Sequence, residues 1–162
     1  MRVSSLIKAA SFAALLAGAS APAFAVEEVN TAPGLTAAGA ALGLHGSDPV
    51  ALLDTNKDVI GTAKFTIVHD KVAYYFATQA NADTFKANPA KYTPQNGGFC
   101  TFGVSVAKKF DGDPRYAAAV DGKLYVFLNE EIYTMFLKDK AGTIAKASGN
   151  WPKIIHTAAT AL

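Results

Sequence analysis

The chain has 162 residues, of which 51% are hydrophobic, with 15 Lys and Arg, 13 Asp and Glu and one cysteine. This length suits one domain with an apolar core and is too short for two. A lone cysteine excludes the internal disulfide framework that stabilises many small secreted domains.

The first 25 residues have the composition of a cleavable signal peptide. Arg2 and Lys8 precede a run of small and apolar residues over 9–24, and the run leads into a small-x-small pattern that ends at Ala25. The run contains Ser, Gly and Pro and is shorter than the roughly 20 strongly apolar residues of a bilayer span. We therefore expect cleavage after Ala25, no integral membrane segment after cleavage, and a periplasmic or secreted protein.

Cleavage at this point changes the charge balance of the protein. Arg2 and Lys8 are the only charged residues removed, so 13 basic and 13 acidic residues remain and the net charge falls from +2 to zero. The pI of about 8.6 belongs largely to the signal peptide. A nucleic-acid surface needs a clustered excess of Lys and Arg, so we expect no nucleic-acid partner.

The remaining chain divides into three predicted parts. An arm rich in Ala, Gly and Thr covers 26–43, a domain covers 44–153, and a C-terminal tail covers 154–162. Near the start of the domain, Asp48 is expected to brace the proline turn that follows it. The short apolar stretch 50–53 is predicted to form a strand.

Two hairpin-and-helix units are predicted within the domain. In the first, β-rich runs at 65–68 and 72–76 flank a short turn, and helical character over 81–86 ends at an Asn-Pro pair. In the second, runs at 116–120 and 123–128 flank an Asp-Gly turn. An asparagine then caps a helix that opens on paired glutamates and closes on lysines.

The two units align at a constant offset of 51 residues. Four pairs are identical at this offset: Asp70 and Asp121, Tyr74 and Tyr125, Phe76 and Phe127, and Phe85 and Phe136. An internal duplication explains them, and so do the preferences of strands for aromatics and of turns for Asp. Both explanations predict an α+β fold, a small single domain in which two β-hairpin-plus-helix units pack aromatics into one core.

The segment between the units carries the cysteine. Its backbone turns at 96–98, and apolar residues then recur at helical spacing from Phe99 to Val106, which predicts a helix with Cys100 in its first turn. The helix N-terminus and the amides of the two preceding glycines would stabilise a thiolate there. The alternative is a small buried hydrophobe between aromatic rings.

His45 is the candidate partner of this thiol, because the opening of the domain is expected near the hairpin. A neutral imidazole beside a thiolate suits copper or zinc, and an imidazole base would activate the thiol. A solvated loop histidine is the alternative. No catalytic triad or nucleotide fingerprint is present, so enzymatic turnover is the least supported function. A short helix is also predicted over 144–153.

Several stretches span most of the predicted mature chain and are, in chain order, 46–50, 74–76 with 85–92, 97–100, 121–125, and 144–147 with 150–152. In their order and spacing they resemble the periplasmic branch of the YHS-domain family, whose name often carries a selenoprotein label. The resemblance implies a treble-clef-like fold of hairpin and helix. In metal-handling members it implies three cysteine ligands at the positions of Ala51, Ala77 and Asn81, so that metal site is lost here.

Two functions stay open. The first is an exported YHS-like accessory domain with thiol-redox or soft-metal chemistry at Cys100, the implied ion being copper or zinc with His45 as second ligand. The second is a non-catalytic structural or partner-binding module that has lost the family's metal ligands. The open partners are a metal ion, a protein and a second copy of the chain.

Overall fold

The computed structural model describes residues 28–162, so the predicted signal peptide and its cleavage site lie outside the described residues. The elements that precede the first hairpin are strand β1 (Ala41–Leu42), a 3-10 turn (Leu44–Gly46) and helix α1 (Pro49–Thr55). The first unit consists of β2 (Thr62–His69), β3 (Val72–Phe76), α2 (Gln79–Ala87) and α3 (Pro89–Tyr92).

The second unit has the same layout. It is preceded by a 3-10 turn (Gln95–Gly98) and helix α4 (Thr101–Ser105). Its elements are β4 (Asp113–Val120), β5 (Lys123–Phe127), α5 (Glu130–Lys138) and α6 (Lys140–Ile154), followed by a 3-10 turn (Ala159–Ala161). The sheet of the first unit has the order β1-β3-β2, with β1 parallel to β3, and β4 pairs with β5 in a separate two-stranded sheet. The predicted α+β domain with two hairpin-and-helix units is confirmed.

Local chemistry explains why the units form. Each hairpin turns through two residues with positive φ, Asp70 and Lys71 in the first and Asp121 and Gly122 in the second. Such turns match the right-handed twist of the strands they join. After each hairpin, one residue caps the helix that follows. The side chains of Thr78 and Asn129 accept hydrogen bonds from backbone amides in the first turns of α2 and α5.

The match between the units extends beyond the four identical pairs. At the offset of 51 residues, β2, β3 and α2 have the same lengths as β4, β5 and α5, and both hairpins carry a register shift at the same place. Only the last helices differ, because α3 has 4 residues and α6 has 15. Asn88 and Asp139 each end one helix and cap the next, with nearly the same backbone angles. The two units therefore repeat one local structure from the first strand to the last helix start.

The stretch 50–53 is part of helix α1, so the prediction of a strand was wrong. The carboxylate of Asp48 accepts hydrogen bonds from the amides of Val50 at 2.9 Å and Ala51 at 3.1 Å, which caps the helix. Pro49 occupies the first helical position, where its missing amide costs nothing. A run of four apolar residues fits a buried helix as well as a strand, and here the cap decides.

The C-terminal helix is longer than predicted. Helix α6 contains the whole predicted stretch 144–153 and has Pro152 in its last turn. The ring of Trp151 packs on that of Phe99, with centroids 6.1 Å apart. Lys109, which is 5% exposed, donates hydrogen bonds to the carbonyls of Ile155 and Thr157 just beyond the helix. The end of α6 is thus tied to the loop that precedes β4.

The aromatic residues of the two units lie in two separate buried clusters, one for each unit, rather than in the one core that the sequence predicted. Phe85 packs on Phe76 in the first unit, with ring centroids 5.1 Å apart, and Phe136 packs on Phe127 in the second at 4.2 Å. All four rings are fully buried. Within residues 28–162, no helix combines the length and the apolar character that a bilayer crossing requires.

Candidate functional site

Cys100 is the N-cap residue of α4 and lies one position before the helix, rather than in its first turn. Its Sγ accepts a hydrogen bond from the amide of Gly103 at 3.5 Å, and its own amide donates to the carbonyl of Phe110 at 2.9 Å. Only 1% of the residue is exposed. The structure therefore fixes the sulfur at the helix start but buries it.

Burial has the largest effect on the thiol. It raises the pKa of Cys100, while hydrogen bonds from the backbone of Gly103, Leu128 and Phe102 act in the opposite direction. The net direction is opposite to the one expected from a helix N-terminus, because desolvation penalises the thiolate more than the amides stabilise it. The neutral thiol is the favoured form at neutral pH.

The two glycines before the cysteine were expected to direct their amides at the thiolate, but they bind the N-terminal arm instead. The carbonyl of Gly97 accepts the amide of Asn30 at 2.8 Å, and the carbonyl of Gly98 accepts the side-chain amide of Asn30 at 3.1 Å. Both glycines have positive φ, and a Cβ on Gly97 would lie 2.3 Å from the carbonyl oxygen of Glu28. They allow the N-terminal arm to approach the backbone closely.

An apolar pocket of about 120 Å³ lies over the sulfur. It is lined by Cys100, Phe102, Gly103, Val106, Phe110, Leu128 and Ile132. Val106 and Phe110 are 57% and 47% exposed, so the rim of this apolar pocket is open to solvent. The cysteine contributes to a hydrophobic surface, and all its pocket neighbours are apolar.

His45 lies in the 3-10 turn before α1 and has a different partner. Its Nε2 is 3.0 Å from Oδ1 of Asp111, and the same oxygen accepts the side-chain amide of Asn30 at 2.7 Å. His45 is not among the residues that line the apolar pocket over Cys100. Throughout residues 28–162, no three His, Cys, Asp or Glu side chains form a group that could hold a metal ion.

Asp48 lies at the centre of another site, of which the sequence predicted only the contact with the proline turn. Beyond capping α1, its Oδ2 accepts the amide of Ala77 at 2.9 Å and the side-chain amide of Asn81 at 2.6 Å. The fully buried carboxylate thus accepts four N–H donors, which matches its four lone-pair sites. Ala51, Ala77 and Asn81, the positions at which the resemblance implied lost cysteine ligands, all bind this carboxylate.

Cys100 is the structural counterpart of Asp48 in the second unit, although the two are 52 rather than 51 residues apart in the sequence. Each residue caps the helix that precedes its hairpin, and each is held by a backbone hydrogen bond to the loop after that helix. Asp48 donates its amide to the carbonyl of Val59 at 2.8 Å, as Cys100 does to Phe110. The two sites therefore have the same backbone frame, by which we mean a helix N-cap residue whose amide donates to a carbonyl in the loop after the helix.

The counterparts of the residues around Asp48 line the apolar pocket. At the offset of 51 residues, Ala77 corresponds to Leu128 and Asn81 corresponds to Ile132. An aliphatic side chain thus replaces the amide that closes the first site, and a thiol replaces its carboxylate. Extending the offset of 51 residues to positions outside the identical pairs would have pointed to Leu128 and Ile132 from the sequence alone.

No protein-family model matches the chain, and no curated protein or solved structure matches it either. The YHS resemblance therefore stays a prediction that rests on the sequence stretches given above.

Proposed function

We propose that the chain is a non-catalytic, exported YHS-like accessory module that binds a partner protein through the apolar pocket, with Cys100 as the pocket floor. The observation that carries the proposal is the position of the sulfur. It is 1% exposed beneath a pocket whose lining is apolar throughout and whose rim is open. A buried neutral thiol in such surroundings acts as a small hydrophobic group.

The size of the apolar pocket restricts its occupant. Its volume of about 120 Å³ is well below the roughly 300 to 1,000 Å³ of pockets that hold cofactors and drug-sized ligands. A dry apolar cavity of roughly 150 Å³ accepts a molecule the size of benzene. The pocket therefore fits one apolar side chain of a partner rather than a flavin, haem or nucleotide.

The exposed rim supplies the driving force for association. Phe110 and Val106 are large apolar side chains that keep about half of their surface in water. Covering the exposed half of one such side chain contributes roughly 1 kcal/mol, about half of the value for complete burial. A few contacts of this size around one inserted side chain suit a transient complex.

Thiol accessibility tests the role of Cys100. We expect a thiol reagent to modify Cys100 in denaturant but only very slowly in the folded protein. Cys100→Ala should keep partner binding and lower the free energy of unfolding by roughly 1 to 3 kcal/mol, the cost of an enlarged cavity. Fast labelling of the folded protein would contradict the proposal.

Partner binding is tested at the rim. Val106→Glu places a charge at the mouth of the apolar pocket and should abolish capture of a partner from an extracytoplasmic extract. Val68→Glu is the matched control, because Val68 is 46% exposed on β2, away from the pocket. Equal capture by both variants would exclude the pocket as the binding surface.

The second candidate is soft-metal or redox chemistry at Cys100, with copper or zinc and His45. The observation in its favour is the set of three backbone amides that lower the pKa of the thiol against the effect of burial. It predicts that Cu(I) or Zn(II) binds with a stoichiometry that Cys100→Ser abolishes. If neither Cu(I) nor Zn(II) changes the melting temperature of the protein, metal binding is excluded and the partner-binding module is the remaining proposal.

A further inference from the structure

A second cavity lies between the segments that flank α1 and the start of β4, and it shares no residue with the apolar pocket. It has a volume of about 240 Å³ and is lined by Pro114 and by the side chains of His45, Ser47, Asp58, Ile60, Asp113 and Arg115. These residues come from both sides of α1 and from the first half of β4. We call this cavity the polar cleft.

One end of the polar cleft carries a guanidinium in a fixed orientation. Arg115 Nε is 3.0 and 2.9 Å from the two carboxylate oxygens of Asp113, and Nη2 also donates to Asp113. The pairing holds the pKa of Asp113 below its ordinary value. A guanidinium has five N–H donors. Nη1 donates no hydrogen bond to any of residues 28–162, so its two N–H groups can donate to an anion.

Another part of the cleft carries a carboxylate with spare acceptor capacity. Oδ1 of Asp58 accepts the hydroxyl of Ser47 at 2.6 Å, and Ser47 is only 2% exposed, so the contact orients the carboxylate. Oδ2 of Asp58 accepts no hydrogen bond from the described residues. An ammonium group is the natural donor to such an oxygen.

The two charged groups influence each other without touching. Asp113 is the main reason that the pKa of Arg115 is raised, and Asp58 adds to the effect. Within the described residues, however, Arg115 pairs with Asp113 and forms no ion pair with Asp58. Asp58 and the Arg115–Asp113 ion pair therefore line one cavity, and the Asp58 carboxylate is not part of that pair.

We propose that the polar cleft binds a small zwitterion of the α-amino-acid class, with its ammonium group on Asp58 and its carboxylate on Arg115. Pro114 and Ile60, which is 68% exposed, supply an apolar wall for the ligand's side chain. The volume of the cleft is below the range for drug-sized molecules, which favours a short aliphatic amino acid. The proposal does not depend on the apolar pocket.

Calorimetric titration of the mature protein tests this assignment with three probes. Alanine carries both charges, ethylamine only the ammonium group, and propionate only the carboxylate. We expect alanine to bind at least about tenfold more tightly than either single-charge probe, because both charge-assisted contacts form together. Equal affinity for ethylamine or propionate would overturn the zwitterion assignment, and so would the absence of saturable heat with alanine.

Variants of the two charged groups complete the test. Arg115→Gln and Asp58→Asn should each weaken alanine binding by about tenfold or more. Lys91→Gln is the matched control, because Lys91 forms a similarly exposed ion pair with Asp54 at 3.2 Å in the first unit. Circular dichroism checks the fold of each variant, and Asp58→Gln replaces Asp58→Asn if the latter unfolds. Wild-type affinity in folded Arg115→Gln would overturn the proposal.

Discussion

The two units hold the same backbone frame around different occupants. In the first, Asp48 fills the frame with a carboxylate that four N–H groups bind. In the second, Cys100 occupies the equivalent position, and an aliphatic side chain, Ile132, stands where Asn81 closes the first site. One site is complete by itself, whereas the other leaves an open apolar surface.

Together with the proposed function, this difference assigns stability to one site and binding to the other. A buried carboxylate with every lone pair satisfied fixes helix, strand end and following helix together, and it offers nothing to a ligand. A thiol makes weak hydrogen bonds and its neighbours are apolar, so the second site can exchange solvent for a partner. We infer that the first unit supplies rigidity and the second supplies the binding surface.

The largest expected effect comes from emptying the first site. Asp48→Ala should lower the free energy of unfolding by about 3 to 5 kcal/mol, because several buried donors lose their acceptor at once. Urea denaturation measures the change against Cys100→Ala. Equal losses for the two variants would break the comparison between the sites.

Grafting the first site onto the second sharpens the comparison. Cys100→Asp alone should cost about 3 kcal/mol, because the carboxylate is buried beside aliphatic side chains. Adding Ile132→Asn supplies the missing donor and should recover about 1.5 to 3 kcal/mol. A double-mutant cycle in urea gives the coupling energy. A double variant no more stable than Cys100→Asp would show that the frames are not equivalent.

The helix caps provide a smaller and symmetric test. Thr78→Ala and Asn129→Ala remove the same kind of contact from α2 and α5, and each should cost about 1 kcal/mol. Both variants are compared with the wild-type protein by urea denaturation. A clear effect at one cap and none at the other would argue against equal local structure in the two units.

The smallest expected effect depends on pH. The pKa of Asp113 is lowered in the fold by Arg115, so the pair stabilises the protein above the unfolded-state pKa and loses this contribution as pH falls through the folded-state value. Arg115 is largely exposed, so Asp113→Asn should cost at most about 1 kcal/mol at neutral pH. Melting temperatures of the variant and the wild type should converge in acid. A difference that persists unchanged there would exclude the ion pair as its source.

The sequence predicted the repeat well because its signals are local. Alternating aromatics, an Asp in each turn and a capping residue before each helix all act within a few residues, and the hairpins and helices formed where these signals lie. The strand predicted at 50–53 failed because the same four apolar residues suit a buried helix. The deciding cap, Asp48, is also held by Ala77 and Asn81 from far along the chain.

The sites were harder to predict because their contacts are distant in sequence. His45 contacts Asp111, whose carboxylate also accepts the side-chain amide of the arm residue Asn30. No local sequence pattern predicts either contact. Burial of Cys100 depends on Leu128 and Ile132, which arrive with the second hairpin. The offset of 51 residues, applied beyond the identical pairs, relates Leu128 and Ile132 to Ala77 and Asn81, but it does not relate Cys100 to Asp48, which lies 52 residues before it.

Asn88 and Asp139, which each cap two helices, restrict where residues can be inserted into this chain. Each residue closes one helix and opens the next, so no linker separates the two helices. An inserted residue there would break both caps and rotate one helix against the core. Insertions and protease cleavage are therefore better accommodated at the hairpin tips, beside Lys71 and Gly122, than at either helix junction.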